Sequence, residues 1–303
     1  LDTNKINLHV VYAAFVLLLF APCVAISGQY FEDSFETGVL GEPPTYIDPV
    51  TDAGWTPGML TEVVDASITE VPIHSGTKML RFTFGTHNPD QYFTLGSNQT
   101  GDVYIRFYIY YPSGAEDGEN AYVHRDGPSS DNNKMFRLWG DEYEDENKMG
   151  ATADLALAGE VERQYLKSKI SGEHVLDCAG TMGEPKNGDE EYLLQTTLES
   201  FHLGKWLLYE YHFKADTGVG DGIMEMYVGG VLVAGQTGLS WLGAPCDPGY
   251  FLNGYILGSA NSGFDVDTNI YIDDVVFSDT YIGGDVLTTA IKATGITFTG
   301  VKF

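Results

Sequence analysis

Residues Gly204–Leu232 read GKWLLYEYHFKADTGVGDGIMEMYVGGVL, and the alternation inside this stretch decides the fold class. In Trp206–Lys214, Tyr209, Tyr211 and Phe213 alternate with Glu210, His212 and Lys214. A period of two marks a strand with one face on a core and the other on water. Met224–Ala234 continues as two strands about Gly229-Gly230, a pair that accepts positive φ without steric cost. The same period recurs outward from this hairpin. Lys78–Phe84 places Leu80, Phe82 and Phe84 on one face. Asp102–Tyr111 places Val103, Ile105, Phe107 and Ile109 on one face, with Tyr104, Arg106, Tyr108 and Tyr110 opposite. Asn269–Ser278 (NIYIDDVVFS) reads as another strand, and Ala151–Ile170, which opens ATADLALAG, as mainly strand. Helical periodicity is thin and there is no βαβ rhythm. With 36 glycines and 13% aromatics in 303 residues, the pattern predicts an all-β, antiparallel β-sandwich of one domain.

Charge excludes whole classes of partner. Lys plus Arg number 16 and Asp plus Glu 43, a formal net charge of −27. Nucleic-acid binders need cations for phosphates, and docking on anionic lipid needs basic clusters. The acids are scattered, as at Asp52, Asp65, Asp90, Asp126 and Asp189. Scatter favours solubility in a salty exterior over dedicated cation sites. Glu116–Gly127 and Gly140–Met149 read as acidic loops.

Residues 1–27 have the layout of a secretory leader: Lys5, an apolar core from Ala13 to Phe20, and small residues at Ala25 and Ser27. A retained apolar anchor is the alternative, since about 20 apolar residues span a bilayer; a lipoprotein reading at Cys23 is the weaker one. Either way the domain is expected outside the cell, at residues 28–283. Residues 284–303 are Thr-rich and read as a last strand or as the start of a further module. Beyond the leader two cysteines remain, Cys178 and Cys246, and export makes them a candidate disulfide. The seven histidines show no HxH or HxxxH spacing, which speaks against a zinc site. Asn98-Gln99-Thr100 is a glycosylation sequon between glycines.

Three segments together resemble secreted proteins of the concanavalin A-like jelly-roll superfamily, and within it the polysaccharide-lyase-like and laminin-G-like members. Tyr30–Gly38 (YFEDSFETG) resembles their opening strand, Gly204–Leu232 their central block, and Asn269–Gly283 (NIYIDDVVFSDTYIG) their closing strand. The resemblance implies a jelly-roll fold, a structural calcium tying first strand to last, and a sheet face that holds a glycan. For calcium, an ion that takes oxygen ligands, it points to Asp33, Glu36, Asp273 and Asp274. Asp273 is the stronger of the last two, because neighbours on a strand point to opposite faces.

Lectins, hydrolases, lyases and adhesive modules share such a fold, so the chemistry has to come from residues. Retaining and inverting glycosidases need two placed carboxylates. The nearest match to the jelly-roll hydrolase pattern is Glu142–Glu146, inside the acidic run Asp141–Glu146, and an acidic run reads as a loop. A lyase instead needs a cation for the uronate carboxylate, a base for the C5 proton and an acid for the leaving oxygen. Arg106, Lys134, Arg137 and His212 are the candidates if the strands carrying them are neighbours. Noncatalytic recognition needs aromatic platforms, for which Tyr108, Tyr110, Trp139 and Tyr209 are candidates. The first expectation is recognition of an extracellular polysaccharide. Polysaccharide lyase action by β-elimination is the enzymatic alternative. A self-associating surface protein, adding a strand to a neighbour's sheet, is the structural one.

Overall fold

The computed structural model describes residues 28–56, 58–68, 71–85, 89–96, 101–113, 132–139, 149–158, 161–170, 191–197, 203–215, 217, 219–239, 250–257 and 267–283. The leader, Cys178, Cys246, Asn98, the run Asp141–Glu146 and residues 284–303 lie outside them.

The described chain is almost all strand. In order, it runs β1 Gln29–Asp33, β2 Gly54–Trp55, β3 Thr61–Asp65, β4 Lys78–Phe84, β5 Gln91–Thr94 and β6 Asp102–Tyr110. It continues with β7 Asn132–Trp139, β8 Met149–Ala158, β9 Val161–Ile170, β10 Glu191–Thr197 and β11 Trp206–Lys214. The last four are β12 Gly222–Val228, β13 Val231–Leu239, β14 Asn253–Ile256 and β15 Thr268–Ser278. One 3-10 turn, Ala66–Ile68, is the only helical piece among the described residues. All named strand pairings are antiparallel.

Two sheets result. Sheet A runs β13-β12-β11-β6-β15-β4-β3, with β1 added against β15; sheet B runs β10-β9-β8-β7-β14-β5-β2. The central stretch supplies β11 and the β12–β13 hairpin, and Gly229 and Gly230 turn it at φ 59° and 76°. Such values suit a tight turn whose twist matches that of its strands.

The inward faces meet through aromatic rings, as the period-two reading requires. Phe136 of sheet B stacks on Tyr211 of sheet A at 5.5 Å, and Phe93 meets Phe277 at 4.7 Å. Trp55 contacts Phe31 and Phe277. Each ring pair adds about 0.5–1.5 kcal/mol to the area it buries.

Strand β15 is the hinge of the layout. It pairs with β6 along one edge. Along the other, β4 pairs with Thr268–Ile272 and β1 with Val275–Ser278. Asp273 and Asp274 fall where one partner hands over to the next. The register with β6 slips there, between Asp273 and Val276, and Asp274 has φ 49°. This is a β-bulge, and a bulge re-aims side chains.

Candidate functional site

The outer face of sheet A gathers most of the expected residues and then closes over them. Tyr104, Arg106, Tyr108 and Tyr110 of β6 lie in register beside Glu210 and His212 of β11. His212 Nδ1 lies 2.8 Å from Glu225 Oε2, and Nε2 lies 2.8 Å from Asp102 Oδ1. Its ring stacks on Tyr104 at 3.9 Å. Burial opposes the imidazolium, yet the two carboxylates outweigh it and raise the His212 pKa. With both ring nitrogens donating, no lone pair is left to take a proton from a substrate. The group is a charge clasp across β6, β11 and β12.

Arg106 and Glu210 are similarly committed. Arg106 donates to the Gly283 carbonyl at 2.8 Å, while Glu210 accepts from the amides of Ile282 and Gly283 at 2.8 and 3.0 Å. Residues 279–283 therefore strap one half of this face, with Tyr281 against Tyr104 and Tyr227. The segment 71–77 straps the other half. His74 lies on Tyr108 at 3.6 Å, and Trp206 donates to the Pro72 carbonyl. Tyr110 packs with Trp206 and Tyr271. Tyr209 points the opposite way, into the core between the sheets.

Arg137 belongs to the other sheet. Position 137 on β7 pairs with Tyr255 of β14 and Thr152 of β8. Thr152 pairs with Lys167 of β9, and Lys167 with Tyr192 of β10. Side by side, one outward row reads Tyr92, Tyr255, Arg137, Thr152, Lys167, Tyr192. A second reads Lys134, Asp154, Tyr165, Gln195, and a third Thr94, Asn253, Trp139, Gly150, Lys169. The three rings Trp139, Tyr92 and Tyr255 stand 5.8–6.1 Å apart. Arg137 and Trp139 are only 4% and 6% exposed although they sit at outward positions.

Lys134 and Arg137 are thus brought together on sheet B, while Arg106 and His212 are brought together on sheet A, at the back of the sandwich from them. A single groove containing all four does not form. Sequence reading missed the alternate residues of β9, Arg163, Tyr165, Lys167 and Lys169, which share the outward positions of sheet B with Lys134 and Arg137. The signal was present: VERQYLKSKI puts every basic residue of β9 at one parity. Five cations and a single acid, Asp154, fall on these outward positions in a chain of net charge −27.

The expected calcium ligands are bonded to different partners. Asp33 sits opposite Val275 on the core side of the sheet and accepts from Trp55 Nε1 at 2.6 Å and from the Phe35 amide at 2.7 Å. Burial pushes its carboxyl above the ordinary value. Glu36 accepts from the Thr77 and Lys78 amides and the Thr77 hydroxyl. Gly76, at φ 53°, leaves it room, since a Cβ there would collide with Glu36 Oε1. Asp273 and Asp274 share one place with His74 and Ser75. The expectation that only one of the two faces this way fails because of the bulge. Among the described residues, only Asp273 and Asp274 of the four are gathered into one group of possible ligands, together with His74.

A depression of about 640 Å³ beside β1 is lined by Glu32, Asp33, Glu36 and Asp48, an acidic rim that would repel a polyanion.

No family model and no curated protein matches the chain. Among solved structures, an alginate lyase, Aly36B, described in complex with alginate trisaccharide, is similar at a TM-score of 0.51 and 12% identity, over 84% of this chain and 99% of that one. The chain has the concanavalin A-like jelly-roll fold. An endo-1,3-beta-glucanase from Streptomyces sioyaensis (TM-score 0.46, 14% identity, 85% and 98% covered) also matches. So does a laminarinase from Flavobacterium sp. UMI-01 (0.45, 12%, 82% and 99%). At 12% identity the likeness to Aly36B establishes the fold alone.

Proposed function

We propose that this jelly-roll protein is exported and recognises an extracellular polysaccharide, anionic in character, on the outer face of sheet B. One observation carries the reading: in a strongly acidic chain, the outward positions of β7 and β9 collect five cations, and β5, β7 and β14 add three aromatic rings. Aromatic faces suit the apolar faces of sugar rings, and guanidinium suits carboxylate. The alginate trisaccharide named with Aly36B is the kind of ligand such a face would take. On sheet A, Arg106 and Glu210 are bonded to the strap 279–283, and His212 to Asp102 and Glu225.

Lyase action is the second reading, favoured by the buried Arg137 in register with Tyr255. Arg137 would neutralise the uronate carboxylate. A tyrosine of the face would take the C5 proton, the C4–O bond would break, and a proton would pass to the leaving oxygen. Incubation with a panel of uronate-containing and neutral polysaccharides tests both readings. Retention of the protein on uronate polymers without the ultraviolet absorbance of an unsaturated product supports recognition alone. Absorbance that rises with time makes the protein a lyase. Retention on neutral glycans only would overturn the anionic assignment.

A further inference from the structure

We propose that His74, Asp273 and Asp274 form a binding site for one divalent transition-metal ion of the zinc class, on the outer face of sheet A and separate from the glycan face. One ligand atom from each residue lies within 4.8 Å of the other two. His74 Nδ1 is 3.1 Å from Asp274 Oδ2 and 3.7 Å from Asp273 Oδ2. A tetrahedral ion with bonds of about 2.0–2.2 Å requires ligand–ligand edges of about 3.3–3.6 Å. The two observed separations bracket that edge.

Two observations set the group apart from an ordinary pair of acids. The first is His74 Nδ1, a buried atom that makes no aligned hydrogen bond although two carboxylates flank it. The second is the carboxylate orientation. The bulge in β15 turns two consecutive aspartates to one side, and Ser75 then fixes both: its hydroxyl meets Asp273 Oδ2 at 3.1 Å and Asp274 Oδ1 at 3.0 Å, and its amide donates to Asp273 Oδ2. Outer hydrogen bonds of this kind hold metal ligands in register.

The donor set decides the cation. Calcium takes six to eight oxygens, whereas one imidazole with two carboxylates suits zinc-class ions at low coordination number. His74 and Asp274 side chains remain 20% and 25% exposed, which leaves an entry path and a coordination position for water. The ion would join the segment 71–77 to β15. A proton on Nδ1 is the competing occupant of the same lone pair.

Trp206 provides a local readout, since its ring centre is 5.4 Å from that of His74. The full chain, freed of metal by dialysis against chelator, would be titrated with Zn²⁺, Ni²⁺ and Ca²⁺ by calorimetry and by tryptophan fluorescence. The expected result is one saturable Zn²⁺ site. Ni²⁺ should quench fluorescence, and the quench should vanish in Trp206→Phe. Affinity should fall at least about tenfold in His74→Gln and in Asp274→Asn, and Ca²⁺ should not displace zinc. Should either variant fail to fold, the wild-type titrations and Trp206→Phe decide. No saturable zinc site, Ni²⁺ quenching that persists in Trp206→Phe, zinc affinity unchanged in folded His74→Gln, or displacement by Ca²⁺ would each overturn the proposal.

Discussion

The two outward faces of this sandwich are built from the same alternation, yet they are put to opposite uses. On sheet A, Arg106, Glu210 and His212 are consumed by the fold: each is bonded to a strap or a neighbouring strand within 3.0 Å. On sheet B, the outward positions of β7 and β9 carry five cations, and those of β8 carry one acid, Asp154. Buried or partly buried charge must be compensated, and the fold supplies the compensation on A. On B, five cations share outward positions of β7 and β9 in register with three aromatic positions. Residue type therefore says little about function; what each residue is already bonded to says more.

The largest effect that would sharpen this contrast is on binding. Arg137→Ala should weaken uronate-polymer binding by about 2 kcal/mol, roughly thirtyfold, as expected for loss of a charged hydrogen bond. Affinity electrophoresis checks it, with thermal unfolding as the control for folding. Equal binding by the folded variant would break the assignment of the face.

His212→Ala should act on stability instead. Two carboxylates would lose their shared cation, at a cost of about 2 kcal/mol, below the range for fully buried pairs because Asp102 is 43% exposed. Urea midpoints measure it, and polysaccharide binding should not change. The pH dependence has a defined sign. The folded pKa of His212 is raised above 6.5, so the stabilisation is complete below that value and is lost as pH rises through the folded pKa. Glu225 is held below its ordinary value of 4.5, first by the His212 hydrogen bond, so the same stabilisation is also lost on acidification. The gap between wild type and variant should therefore be widest in mildly acidic solution and narrow on both sides. A gap that widens in alkali would contradict the clasp.

Gly76→Ala tests the strap 71–77. A Cβ would collide with Glu36 at a backbone of positive φ, and a loss of about 1–2 kcal/mol in thermal unfolding is expected, again without effect on binding. The smallest effect concerns salt. The net charge of −27 repels a polyanion at long range, while the face attracts it locally. Long-range repulsion is screened first, so affinity should rise severalfold from low salt to about 0.15 M and fall beyond it. A monotonic fall would mean that the acidic remainder of the molecule exerts no field at the face.

Much of this architecture was legible in residues alone. The period of two located β4, β6, β11, the β12–β13 hairpin and β15 within a few residues. Sheet membership was not legible. Local alternation says which residues share a face of one strand, but long-range pairing decides which strands share a sheet. That is why Arg137 could be grouped with Arg106 and His212 from sequence and yet lies on the other sheet. The bulge at Asp273–Asp274 escaped for a related reason: it exists because β15 changes partner there, a tertiary fact. The basic parity of β9 was legible and carries the functional reading.

The central claim is that sheet B, not sheet A, holds the glycan. Two charge reversals of equal size separate the faces: Lys167→Glu on β9 and Lys214→Glu on β11, where the lysine pairs with Asp221 at 2.9 Å. Both change net charge by the same amount, so any effect of overall charge is common to both. Affinity for a uronate polymer, measured by calorimetry on the full chain, should fall by about tenfold or more in Lys167→Glu and much less in Lys214→Glu. Equal losses, or a larger loss from Lys214→Glu, would contradict the account.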